Sequence, residues 1–278
     1  GALANDQVSI AGDLIIGSAL LEKAFLDRAS AKADGKVEIR ELISANIDGS
    51  IYVGNASLNN YFSNQEAPVE AKGELLVQRV LQFEAGNSLL IGTADATEGG
   101  IGHAHSTGKV VLDGIQTASI DNSLIIGYSV AGDFAEARST GSLFLQSVDQ
   151  LSLNAALRIG YARTELNQFG QAWANGKFEW QRLGQLFGTL SEFNVGIAYS
   201  QGEGTSIANG YGEFYIDEIN GAIGIISPIN VGYAVAQESS EANAWGRVRI
   251  DELNTLVAAN EVNVGVASAS GGQNLVMP

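Results

Sequence analysis

The sequence predicts an all-β, single-domain parallel β-solenoid (β-helix) spanning residues 1–278, with about eight coils of 33–38 residues and three short strands per coil. Three observations carry this expectation. One glycine motif returns eight times at nearly constant spacing, and a second glycine motif interleaves with it. Apolar residues alternate with period two around both, which is the strand signature. The composition, with 34 Gly, 3 Pro and no Cys, suits a chain whose strands must all pair.

The first strand of each coil is written aliphatic-x-aliphatic-Gly-x-Ala, beginning with Leu14-Ile15-Ile16-Gly17-Ser18-Ala19. Its glycine recurs at Gly54, Gly92, Gly127, Gly160, Gly196, Gly232 and Gly265, always preceded by Ile or Val. Two residues later stands Ala, except for Ser129 in the fourth copy. Self-similarity of this kind marks a repeat architecture, in which neighbouring units supply each other's core.

The second strand centres on Gly35, Gly73, Gly108, Gly141, Gly176, Gly212 and Gly246. In its first copy Ala31, Ala33, Gly35, Val37, Ile39 and Leu42 set the pattern. From this glycine to the next first-motif glycine the distance is 19 or 20 residues, whereas the other half varies from 14 to 19. One half of each coil is therefore geometrically fixed, and the other carries a loop that tolerates insertion. A helical turn fits between Leu20 and Ala33 in the first such loop.

The third, weaker strand is marked by Ala45 and Ile47, Phe83 and Ala85, Ala118 and Ile120, and Leu151 and Leu153. Small inward residues meet at the loop edge and large ones at the far side, so the cross-section is expected to be a wedge. The glycines let two backbones approach closely or bend at a corner. Coils stacked at the ladder spacing of about 4.8 Å would make a rod roughly 35 to 40 Å long.

An outer-membrane β-barrel would also alternate and lack Cys. Its lipid-facing columns should stay apolar, yet the column two residues before the first glycine ends Arg158, Asn194, Asn230, Asn263. Those three Asn in successive coils predict a hydrogen-bonded amide ladder. No apolar run approaches the roughly 18 residues of a membrane helix.

With 31 acidic and 15 basic residues the net charge is −16, which disfavours nucleic acid and anionic membranes as partners. No thiol chemistry is available. Nothing marks a catalytic nucleophile, base or orienting partner, so no enzyme and no cofactor are expected. His103 and His105 form an outward His-Ala-His near Thr107, with Asp95 and Glu98 close in sequence, but no second His cluster completes a metal site. The outward acids Glu38, Glu179 and Asp217, with Asp251 and Glu252 near the same edge, interleave with Arg40, Arg79, Arg182, Arg247 and Arg249, which predicts ion pairing between coils.

Two features point to partners. Tyr211 and Trp245 precede the second glycine in neighbouring coils, with Trp173 two positions away one coil earlier, and Tyr128 and Tyr161 follow the first glycine. Outward aromatics of this kind suggest a contact patch for another copy or a glycan. The chain opens on Gly1, with no visible signal peptide, partway through a coil whose third strand holds Val8 and Ile10. It closes on Asn274, Leu275, Val276 and Met277, a strand-like tail that could fill the first coil of another copy.

Segments such as Leu124-Ile125-Ile126-Gly127, followed by Ala137-x-x-x-Gly141-x-Leu143-x-Leu145, resemble coils of secreted bacterial β-solenoids, the autotransporter passengers and large adhesins. The resemblance is generic to such solenoids and implies an extracellular or cell-surface role without specifying a ligand. The expectation is a structural or adhesive solenoid that self-assembles head to tail into a filament, with divalent cations screening the acidic rods. A glycan-binding or glycan-cleaving solenoid is the alternative.

Overall fold

The computed structural model describes residues 6–22, 30–59, 67–97, 102–132, 134–154, 156–165, 169–181, 185–201, 206–225, 228–258, 261–270 and 275–277. Among these there is no helix, and every strand pairing is parallel. Parallel pairing between successive turns makes a solenoid. An outer-membrane barrel of antiparallel hairpins is thereby excluded.

Two sheets face each other. The narrow, nine-stranded sheet stacks the first-motif strands, from Leu14–Glu22 through Ser123–Ala131 to Val262–Val264, with Ala267–Ser270 continuing the last rung. The broad, thirteen-stranded sheet stacks the second and third segments together. The third segment is thus not a separate face. In four turns it runs on from the second as one strand of 18 or 19 residues, for example Ala67–Ala85 and Gly102–Ile120. About six turns have neighbours on both sides, against the eight equivalent coils expected; an end turn at each side accounts for the remaining glycine copies. In the first loop Leu14–Glu22 and Ala31–Arg40 are strand up to both edges, so no helical turn reaches Leu20 or Ala33, and residues 23–29 lie outside the described set.

The register keeps both motifs in phase. Gly35, Gly73, Gly108, Gly141, Gly176, Gly212 and Gly246 are aligned from rung to rung, so the variable loops absorb most length differences, and a one-residue register shift between Ile219 and Ala222 takes up another. In the narrow sheet the eight first-motif glycines share φ values of 59° to 67°. Such a left-handed residue inside a strand kinks the chain and advances the alternation by one residue, and because every rung carries it at the same place the one-to-one pairing is kept. Val53 and Ala56, three residues apart, therefore both point inward, as the burial pattern of Ile51–Asn59 records.

The core is divided. Large residues, among them Ile91, Leu112, Leu143, Phe178 and Trp180, fill one cluster. A second cluster toward the loop edge is almost entirely alanine, including Ala56, Ala94, Ala104, Ala137 and Ala172. Between them the sheets touch backbone to backbone. The expected gradation from small to large residues is present, and the section is in addition pinched at a glycine seam. Stacked sheets ordinarily stand about 10 Å apart, and only positions without a Cβ allow this approach.

On the outer face of the narrow sheet the amide ladder is present. Asn263 Nδ2 donates to Asn230 Oδ1 at 3.0 Å, and Asn230 Nδ2 to Asn194 Oδ1 at 2.8 Å. One turn earlier in the same column Arg158 holds Glu192 through two hydrogen bonds of 2.9 and 2.7 Å.

Candidate functional site

The broad sheet's outer face carries the side chains with chemistry, and the second glycine sets their address. Three residues before it, Lys32, Glu70, His105, Arg138, Trp173, Asn209 and Asn243 form one column running along the solenoid. One residue before it, Thr107, Thr140, Asn175, Tyr211 and Trp245 form the next. Because strand residues two apart share a face, the two columns lie side by side.

Size alternates between these columns. Trp173 is large where Asn175 is small, one turn later Tyr211 is large where Asn209 is small, and Trp245 and Asn243 repeat that arrangement. The result is a groove of about 530 Å³ lined by Arg138, Trp173, Asn175, Asn209, Tyr211, Asn243 and Trp245, with Ala174, Gly210 and Ala244 in its floor. Tyr211 and Trp245 stack nearly parallel, with centroids 4.2 Å apart and planes 6° apart. Trp173 carries the Arg138 guanidinium over one face at 4.5 Å, leaving the other toward Asn209. The Tyr211 hydroxyl donates to Glu213 at 3.1 Å; partial desolvation first, and this bond second, hold its phenol above the ordinary range.

The amides between the aromatic walls are ordered. Asn243 Nδ2 donates to Asn209 Oδ1 at 2.9 Å and to Glu241 at 2.6 Å. These bonds use both Asn243 donor hydrogens and leave the Asn209 amide nitrogen and the Asn243 carbonyl outside them. Two apolar walls above a few fixed polar groups is the usual composition of a small-molecule site.

The five aromatics expected to form a contact patch do not act together. Tyr211 and Trp245 are exposed at 39% and 43%, and half-buried Trp173 joins them at the groove. Tyr128 and Tyr161 lie on the other sheet, stacked at 5.4 Å and half-buried, in a ladder that continues to Tyr199 and Tyr233. Burial drives the Tyr161 phenol far above its ordinary value.

His103 and His105 do find a third ligand type. Glu136 is in register with His103, and its carboxylate lies 3.4 Å from His103 Nδ1 and 3.1 Å from His105 Nε2. The sequence does hold this signal: His103 stands five residues before Gly108, and Glu136 five before Gly141. Arg138 also contacts Glu136. Asp95, in contrast, sits on the narrow sheet, and Glu98 lies outside the described residues.

Among the described residues the expected pairing between coils is present, in Lys32–Glu70, Lys36–Glu74, Arg79–Glu41, Lys109–Glu74 and Arg158–Glu192. As many pairs lie within one strand, among them Lys36–Glu38, Arg40–Glu38, Lys177–Glu179 and Arg249–Asp251. The described residues lining the groove include no carboxylate.

At the solenoid's two ends, Gln7–Ile10, which holds Val8 and Ile10, pairs with Ser44–Ile47 in the third-segment position. Leu275, Val276 and Met277 pair with Glu241, Ala242 and Asn243 of the same chain, extending the broad sheet; Asn274 lies outside the described residues. Inward-pointing Val262 and Val264 of the last rung are 57% and 68% exposed. Comparison of the chain with family models, with curated proteins and with solved structures finds no match.

Proposed function

We propose that this β-solenoid is an extracellular adhesive protein that holds a neutral glycan along its broad sheet. The observation that carries the proposal is the groove in which Trp173 faces the Tyr211–Trp245 stack across Asn209 and Asn243. A pyranose offers an apolar face of C–H groups and a rim of hydroxyls. Aromatic faces take the first and amide side chains the second. The groove lies over paired strands, whose backbone groups are already bonded between turns, so recognition runs through side chains rather than strand addition. The one cation in its lining, Arg138, already contacts Glu136, and the protein carries a net charge of −16, which favours a neutral sugar over a polyanion. The absence of a carboxylate from the described lining supports binding without cleavage.

Native affinity gels test this with neutral glucan, mannan and xylan and with polygalacturonate as the acidic counter-probe. Retardation by a neutral polymer is expected, and Trp173→Ala and Trp245→Ala should each abolish it while circular dichroism stays unchanged. No retardation by any neutral polymer, or equal retardation of the variants, overturns the proposal.

A second reading is head-to-tail assembly into a filament. It is favoured by Val262 and Val264, core positions that the last rung leaves uncovered. That rung offers a first and a second segment, and Gln7–Ile10 offers a third, so two copies would complete one turn between them. Light scattering over a concentration series, with negative-stain imaging, is expected to show end-to-end rods. Monomers at every concentration would sink this reading.

A further inference from the structure

We propose that His103, His105 and Glu136 form a binding site for a borderline transition-metal dication, with Zn²⁺ as the reference ion. The site stands on side chains that the solenoid register brings together. His103 and His105 are two apart on the strand Gly102–Ile120 and share its outer face. Glu136 opens the neighbouring strand directly opposite His103. One ligand atom from each of the three lies within 4.8 Å of the others, and the two His–Glu separations are 3.1 and 3.4 Å. Ligand bonds of about 2.0–2.1 Å in a tetrahedron place neighbouring donors about 3.3 Å apart. The two His–Glu separations are of that size but run to different carboxylate oxygens, Oε2 for His103 and Oε1 for His105, so the carboxylate turns to offer one oxygen to the ion or holds it through both.

The donor set selects the ion. Two imidazoles and one carboxylate suit Zn²⁺, Cu²⁺ or Ni²⁺, whereas Ca²⁺ and Mg²⁺ take oxygen ligands. The carboxylate side chain is only 18% exposed and is bonded by His105, so it is held in place. Strand positions with both neighbouring turns paired keep the imidazole backbones fixed, which lowers the ordering cost of binding.

Arg138 gives the proposal its sharpest consequence. In the structure its guanidinium contacts Glu136 and stacks on Trp173. It therefore stands where a metal would draw on the same carboxylate, as a competing cation. Metal binding displaces it from Glu136, and the stack on Trp173 carries that change to the wall of the groove. The metal site does not depend on the glycan reading.

Calorimetry with ZnCl₂ on the full chain, and visible absorption with Co²⁺, test the proposal. One ion per chain is expected. His105→Ala and Glu136→Gln should weaken binding roughly 10- to 100-fold, and Arg138→Gln should tighten it. Tryptophan fluorescence should respond to Cu²⁺, and Trp173→Phe should remove most of that response. Absence of stoichiometric binding overturns the site. So does binding that Glu136→Gln and Arg138→Gln leave unchanged, because loose association with exposed histidines would ignore both.

Discussion

Gly108 faces Gly92 across the two sheets so closely that a Cβ on Gly108 would lie 2.3 Å from the Gly92 backbone nitrogen and 2.1 Å from the Val53 carbonyl oxygen. Gly108 lies in a regular strand and simply has no room, whereas Gly92 is constrained twice: its Cβ would lie 2.0 Å from the Thr140 carbonyl oxygen, and its φ of 63° is a left-handed conformation that L side chains resist. Repeated at each turn, this contact divides the alanine channel from the large-residue core and fixes how far apart the sheets sit.

The contact separates backbone strain from steric clash by mutation. Gly108→Ala forces backbone against backbone and should cost about 3 kcal/mol or more, the upper range for overpacking. Gly232→Ala meets nothing nearer than 3.4 Å and carries only the penalty of φ 63°, about 1–2 kcal/mol. Urea unfolding of both variants measures the difference. Equal costs would mean that the seam relaxes, and the pinched section would then not be what spaces the sheets.

The amide ladder should behave as a chain rather than as three separate side chains. Asn230 accepts from Asn263 and donates to Asn194, so Asn230→Ala breaks two bonds and strips the 5%-exposed Asn194 of a donor. A loss of about 1–3 kcal/mol is expected, and Asn263→Ala at the ladder's end should cost less. A double-mutant cycle on the pair reads the coupling directly. Additive losses would show that the ladder contributes no cooperativity.

Much of the fold is legible in the chain. The phase of Gly17, Gly54 and their successors, with the alternation around Gly35 and Gly73, suffices for a parallel solenoid, and the Ala-rich and large-residue halves follow from it. The left-handed kink is not legible, because an alternation that slips by one residue reads the same in sequence whether the glycine turns or the strand ends. Strand fusion in the broad sheet is hidden for the same reason. The site is readable only after the rungs are aligned. Counted back from the second glycine, Trp173, Asn209 and Asn243 fall in one column and Tyr211 and Trp245 in the next, but Arg138 reaching both Glu136 and Trp173 needs side-chain geometry.

Alkaline pH should unfold the solenoid through its tyrosine ladder. Burial raises the Tyr128, Tyr161 and Tyr199 phenols, most of all Tyr161. A phenol whose folded pKa exceeds its unfolded one stabilises the fold in its neutral form. That contribution is complete below the unfolded value of about 10 and is lost as pH rises toward the folded one. Phenolate absorbance should therefore show a late group among the eight tyrosines, appearing together with unfolding. Tyr161→Phe should move the alkaline midpoint upward. A single titration of all eight at the ordinary value, with the fold intact, would contradict the buried ladder.

The last rung separates self-association from folding. Val264 pairs in register with Val231, and both point into the core, yet Val231 is 8% exposed and Val264 68%. Lysine at position 231 would bury a charge within the large-residue cluster and should unfold the neighbouring turns. Lysine at position 264 leaves its ammonium in water and should change monomer stability by no more than about 0.5 kcal/mol. If a second copy covers this rung, each valine it buries adds about 1.5–3 kcal/mol to the contact. Val264→Lys would forfeit that gain and place a cation inside the joint. Sedimentation of the variant beside the parent, at matched concentrations, should then show loss of the end-to-end species with an unchanged melting curve. Persistence of rods in Val264→Lys would mean that the copies meet through another surface.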